Sequence, residues 1–309
     1  MSLFNRYCLI LLLLSTALTT GCLFRTRRVE QTISPVPLKS ATKEQLISYI
    51  NLQAAKIHTM QATVDIDTAV GGVKKGKVTE YKEIRGYVLA RKPAMLRMIG
   101  LLPILRNTAF DMVSDGREFK VSIPPKNRFV VGRNDVMVPN PQQPLENLRP
   151  QIIYDALLLR PIDAEHEHER AVLENGTEIV AGDKNRKFQQ ADYVIDVIHF
   201  GDGDGDAWLS RKIVFSRVDL LPHRQLIYDE SGELVTDASY SDYKDNGGVL
   251  FPSVIEIRRP EEEYDITLHM VKLEINLPLD NTKFVLEKPP GAQEIHLDPQ
   301  RSAVGGGSH

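Results

Sequence analysis

Cysteine is nearly missing from this chain: there are two, Cys8 and Cys22, in 309 residues. Both lie near the start, so nothing after position 22 forms a disulfide or supplies a thiolate to a metal. Positive charge is not in excess either. The net charge is −3, and such a balance gives no electrostatic footprint for nucleic acid. No apolar run reaches the ~20 residues that a spanning helix needs. Catalytic signatures are missing too. There is no Gly-x-Ser-x-Gly nucleophile elbow, and no complete Walker-type or dinucleotide-type glycine pattern. Carboxylates are plentiful but scattered, so spacing picks out no acid/base pair. No catalytic residue, cofactor or enzyme activity is expected.

Two stretches invite a metal and fail the test. Asp202-Gly203-Asp204-Gly205-Asp206 looks like a calcium loop, but that loop wants glycine at its sixth place and glutamate at its twelfth. Those places hold Ala207 and Ile213, which leaves a Gly/Asp hairpin turn. His166-Glu167-His168-Glu169 could set two imidazoles on one strand face. Two ligands do not complete a zinc site, so no metal is expected.

What the chain does have begins at Leu18-Thr19-Thr20-Gly21-Cys22, which resembles a bacterial lipobox. Thr19 stands where leucine is usual, with Leu18 one place further out. The segment before it has the order of an export signal: Arg6, then the short apolar run Cys8–Leu14, then small residues. The resemblance implies that residues 1–21 are removed and that Cys22 is acylated. An uncleaved anchor, or an ordinary signal peptide with a chance cysteine, is the competing reading. Acyl chains contribute ~0.8 kcal/mol per buried CH2, and stable anchoring takes more than one. A multiply acylated Cys22 would hold the protein on a membrane without any spanning helix. Residues 22–40 then read as a lipidated tether. Arg25, Arg27 and Arg28 stand either against anionic headgroups or free in a linker, and Ser34-Pro35-Val36-Pro37 keeps the backbone extended.

From residue 41 the pattern becomes that of a folded domain. Thr42 and Gln45 form a capping-box pair, and Leu46, Ile50, Ala54 and Ile57 recur at helical spacing. This predicts a helix over 42–58 with one face on a sheet. The period then drops to two: Met60, Ala62, Val64, Ile66 and Thr68 alternate with polar residues. Strands are predicted over 77–90 and from 95, around the Asp115-Gly116 hairpin signal, at 129–131, 171–181, 191–200, 207–217, 222–229, 233–243, 249–258 and 264–276. A proline-rich connection covers 138–150, and 151–159 reads as a short apolar helix. Residues 277–298 hold Pro278, Pro289 and Pro290, and 299–309 form a flexible tail. Many strands at short spacing with few helices predict a mainly β fold, an all-antiparallel sheet curled into a sandwich or barrel.

One turn has the wrong chemistry. Gly100-Leu101-Leu102-Pro103-Ile104-Leu105 sits between two strand patterns, where polar residues are normal. Its aliphatic side chains either tuck into the fold or project outward, and an exposed apolar patch usually has a function.

Several local features carry a likeness to a known family. They are Arg85-Gly86-Tyr87-Val88 with Arg91-Lys92-Pro93, the Ser114-Asp115-Gly116 hairpin, and Arg224-Gln225-Leu226-Ile227-Tyr228-Asp229. Near the end come Leu250-Phe251-Pro252, Asn276, Lys283-Phe284 and Pro289-Pro290-Gly291. With the lipobox and the order of helix and strands, the chain resembles the LolA/LolB-type lipoprotein-localisation superfamily over 41–298, closest to the lipid-anchored LolB-type branch. The resemblance implies a half-open antiparallel β-barrel covered by a few helices around an apolar cavity. It also implies that Leu101, Leu102, Ile104 and Leu105 form a projecting membrane-contact loop. Candidate cavity residues are Val64, Ile66, Val88, Leu96, Phe110, Met112, Ile153 and Leu157, each equally able to be plain core. The partners implied are membrane lipid through acylated Cys22, acyl chains of lipoproteins or lipids as cargo, and a periplasmic carrier protein. Leu23, not aspartate, follows the cysteine, which under the enteric sorting rule implies the outer membrane, facing the periplasm. The function expected is binding of acyl chains for lipoprotein localisation or lipid transfer. A scaffolding or sensor lipoprotein with a filled barrel is the alternative.

Overall fold

The computed structural model describes residues 36–74, 76–135, 149–163, 168–181, 187–201 and 206–297. The signal segment, Cys22, most of the tether, His166, Asp202–Gly205 and the tail lie outside them. The chain divides into two units. One comprises 1–35 with 179–189, of which only strand residues are described; the other comprises 36–178 with 190–309. Both described α-helices and the whole hydrophobic core belong to the second unit.

Helix α1 (Lys43–Lys56) starts at the capping box the sequence predicts. The Gln45 amide donates to Thr42 Oγ1 at 3.3 Å, and the Thr42 amide to Gln45 Oε1 at 2.8 Å. Two of the orphan N–H groups of the first turn are thereby satisfied. Fourteen strands follow in one sheet. They are β1 (Thr59–Gly72), β2 (Lys77–Arg91), β3 (Met95–Leu101), β4 (Thr108–Ser114), β5 (Glu118–Ile123) and β6 (Arg128–Arg133), then helix α2 (Pro150–Leu157). After it come β7 (Glu169–Ala181), β8 (Lys187–Phe200), β9 (Ala207–Ser216), β10 (Pro222–Tyr228), β11 (Leu234–Asp245), β12 (Leu250–Arg259), β13 (Tyr264–Ile275) and β14 (Gln293–His296).

The order β14-β6-β5-β4-β3-β2-β1-β13-β12-β11-β10-β9-β8-β7 describes two meanders. Each lays consecutive strands side by side, and they meet where β1 pairs with β13, Ile66 opposite Leu268. Local turn chemistry sets the hairpins. At the tip between β4 and β5, Asp115 Oδ1 accepts from the amides of Arg117 (2.9 Å) and Glu118 (2.8 Å), and Gly116 takes φ +97°. The sheet stays open: β14 and β7 are its two ends. The fold is thus mainly β and half-open with helices over it. It departs from the predicted all-antiparallel sheet at the β14 end. Residues 293–296, read as part of an irregular proline-bearing tail, form β14 and pair parallel with β6. Four residues are too few to carry a readable period.

The core has two parts, each beneath one helix. Leu46 and Ile50 of α1 pack on Tyr193, Ile195, Val197, Ile213 and Phe215 of β8 and β9. Ile153, Tyr154 and Leu157 of α2 pack on β1–β6 and β11–β13, against Met60, Val64, Val88, Leu96 and Ile255. The Tyr154 hydroxyl donates to the Pro93 carbonyl at 2.7 Å and fixes α2 to the β2–β3 turn. On the opposite face of the same strands, Arg97 grips Asp111 with two bonds of 3.0 and 2.7 Å.

Candidate functional site: an apolar cavity beside α2

Between α2 and the strands beside it the packing is incomplete. A cavity of about 240 Å³ opens there, with Ile66, Ile84, Met98, Phe110, Met112 and Ile153 among its apolar walls. Its surface is almost wholly hydrocarbon. The polar groups that reach it are Thr68, Tyr81, Tyr264, Lys126 and Asp265. Burial pushes the Tyr264 phenol up to about 12, so that hydroxyl is neutral at physiological pH. Burial also holds the Asp265 carboxyl above the ordinary carboxylate range, against the pull of Arg258.

Two glycines underlie residues of this wall. Gly86 on β2 and Gly100 on β3 are directly opposite one another. A Cβ at Gly86 would lie 2.6 Å from Ile66 Cδ1, and one at Gly100 2.3 Å from the Phe110 ring. Bare backbone at both points lets Ile66 and Phe110 lie down on the sheet, where they form part of the cavity wall.

The predicted site residues separate into three groups. Ile66, Phe110, Met112 and Ile153 line the cavity. Leu157 lines a second hollow of only about 50 Å³, between α1, α2 and the strands β10–β12. Val64, Val88 and Leu96 are fully buried in the close-packed core. The sequence pattern does not single out Tyr81, Val70, Tyr264 or Ile266, which also line the cavity. For the last two, the alternation along 264–276 is the available signal. It gives the inward face of β13, but not that β13 lies beside β1.

The aliphatic turn does both things the sequence allows. Leu102 lines the cavity, and its amide donates to the Asn107 carbonyl at 2.7 Å. Ile104 and Leu105 point the other way, 97% and 74% exposed. Ile104 (φ +70°) and Arg106 (φ +53°) both take left-handed backbone there, a conformation disfavoured for a β-branched residue. One short loop therefore has a root in the cavity wall and two large aliphatic side chains in solvent.

No helix among the described residues is long and apolar enough to cross a membrane. No family model and no curated protein matches the chain. Among solved structures it is similar to a LolA superfamily protein from Nitrosomonas europaea, at 13% identity over 80% of this chain and 99% of that one, with a TM-score of 0.44. It is also similar to a DUF1329 family protein from Desulfovibrio piger, at 14% identity over 78% and 94%, with a TM-score of 0.46. These are likenesses of fold.

Proposed function

We propose that this protein binds the acyl chain of a lipoprotein or lipid in the cavity beside α2, at a membrane to which acylated Cys22 tethers it. The observation that carries this reading is the 240 Å³ hydrocarbon-walled hollow. Protein interiors are normally packed without such space, and apolar walls of this kind favour an apolar guest over water. Cargo would enter and leave by differences in affinity, with no covalent step. The wall contains one carboxylate, Asp265, not the pair that acid/base hydrolysis of a glycan or lipid would use. Ile104 and Leu105 would touch the bilayer while Leu102, in the same turn, borders the cargo. The anchoring lipid would supply attachment; the loop would supply position.

The test is direct. Protein purified from the cell envelope should release lipid on solvent extraction, and should bind an alkyl-chain fluorescent probe that added fatty acid displaces. Its intact mass should show residues 1–21 removed and Cys22 carrying acyl groups. Protein free of lipid that binds no probe leaves the scaffolding alternative; an unmodified Cys22 removes the tether.

A further inference from the structure

A cluster far from the cavity combines the right ligand types with an unmet need. Glu178 on β7, Asp192 on β8 and His223 on β10 each turn one ligand atom toward a common point, all within 4.8 Å of one another. His223 Nε2 lies 3.0 Å from Glu178 Oε2 and 3.8 Å from Asp192 Oδ2. We propose that these three side chains hold a first-row divalent metal ion, zinc by preference.

Three observations support the assignment. First, the spacing is close to that of a coordination shell. Bonds of about 2.1 Å around a tetrahedral zinc put neighbouring ligand atoms about 3.4 Å apart. The 3.0 and 3.8 Å separations straddle that value, and small side-chain rotations would equalise them. Second, Asp192 is 1% exposed, and its Oδ2 has no hydrogen-bond partner. A buried carboxylate oxygen is normally satisfied. At 3.8 Å the imidazole is too far to donate to it, whereas a cation between them would bond both. Third, the outer oxygens of the two carboxylates are held. Asp192 Oδ1 accepts from Gln190 Nε2 at 3.3 Å. Glu178 Oε1 accepts from Arg224 Nη1 at 3.3 Å, and Arg224 is itself clamped by Asp237 at 2.7 and 2.8 Å. Such outer contacts orient ligands toward a metal.

Two carboxylates and an imidazole make a mixed oxygen and nitrogen set, with coordination positions left for water. Among divalent ions of physiological abundance, such a set favours zinc over manganese. His223 Nδ1 has no partner, so the imidazole lacks the usual outer acceptor, and Arg224 brings positive charge close. Both features set the site toward readily exchangeable binding. The ligands come from three strands, so the ion would cross-link this end of the sheet.

The experiment is calorimetric titration of the purified full chain with zinc chloride in a non-chelating buffer, repeated with manganese chloride, alongside thermal melts. The expected result is one saturable zinc equivalent that raises Tm, with manganese weaker. Asp192→Asn and His223→Gln should each weaken zinc binding at least tenfold, while His168→Gln leaves it unchanged. No saturable binding to the wild-type chain overturns the proposal, and so does binding that both ligand variants retain. If a variant fails to fold, Glu178→Gln, on the more exposed ligand, gives the same reading.

Discussion

Filling the cavity from β1 separates carriage from simple looseness of packing. Thr68 stands two residues beyond Ile66 on the same strand, and its side chain lines the hollow. An apolar cavity of ~150 Å³ holds one benzene, so about 240 Å³ accommodates roughly eight to ten carbons of a chain. Eight methylenes at about 0.8 kcal/mol each give roughly 6 kcal/mol. That corresponds to a dissociation constant on the order of tens of micromolar. The indole of Thr68→Trp would occupy most of the same volume. We expect probe affinity to fall at least tenfold, about 1.4 kcal/mol, and Tm to stay level or rise, because filling a void stabilises. The assay is displacement of a fluorescent fatty acid together with a thermal melt. Thr68→Trp that folds and binds the probe as tightly as wild type would refute the cavity as the binding place.

Three more outcomes are expected from other parts of the molecule. Ile104→Asp with Leu105→Asp should abolish binding of the non-acylated chain to phospholipid vesicles while leaving probe affinity and Tm unchanged, since both side chains are in solvent; vesicle flotation reads it. Arg259 and Glu262 form a pair buried to 4% exposure, with Arg259 also donating to Thr236 Oγ1 at 3.0 Å. Glu262→Leu would strand the guanidinium and should cost about 3–5 kcal/mol in a denaturant melt. Asp155, with a side chain 19% exposed, has its carboxyl held above the usual range, first by burial and against Arg160 and Gln151. The folded chain therefore binds that proton more tightly than the unfolded chain. Asp155 thus disfavours folding increasingly as pH rises from the unfolded value of about 3.9 through its raised folded value. Asp155→Asn should flatten this part of the stability–pH curve and raise Tm at neutral pH.

How much of this could be read from the sequence depends on the range of the signal. Thr42 with Gln45 marks a helix start because both capping bonds are made within four residues. The alternation through Met60–Thr68 marks a strand because each residue reports its own face. The period says which face is inward, but not whether the inward space is filled. Val64, Val88 and Leu96 satisfy the same pattern as Ile66, Phe110 and Met112, yet of the six it is the last three that line the cavity. Which residues border the space depends on contacts between strands: Gly86 and Gly100, over which Ile66 and Phe110 lie, are fourteen residues apart and meet only through the β2–β3 register. The loop at 101–105 was legible as anomalous, but its division into an inward Leu102 and an outward Ile104 depends on backbone turns that composition does not encode. Glu178, Asp192 and His223 share no spacing at all; strand order alone brings them together.

The parallel pairing of β14 with β6 has a consequence for how the chain can fail. Residues 293–296 pair with 128–131 across more than 160 positions of sequence, and the Leu297 amide extends the ladder to the Val131 carbonyl at 3.0 Å. Until that late segment arrives, the Arg128–Arg133 strand presents a raw margin of unpaired peptide groups beside Val130 and Val131. Such margins recruit strands from other molecules. A chain cut short before Gln293 would keep its hollow and its loop, yet be left self-adhesive, and solubility rather than ligand affinity would be the first property lost.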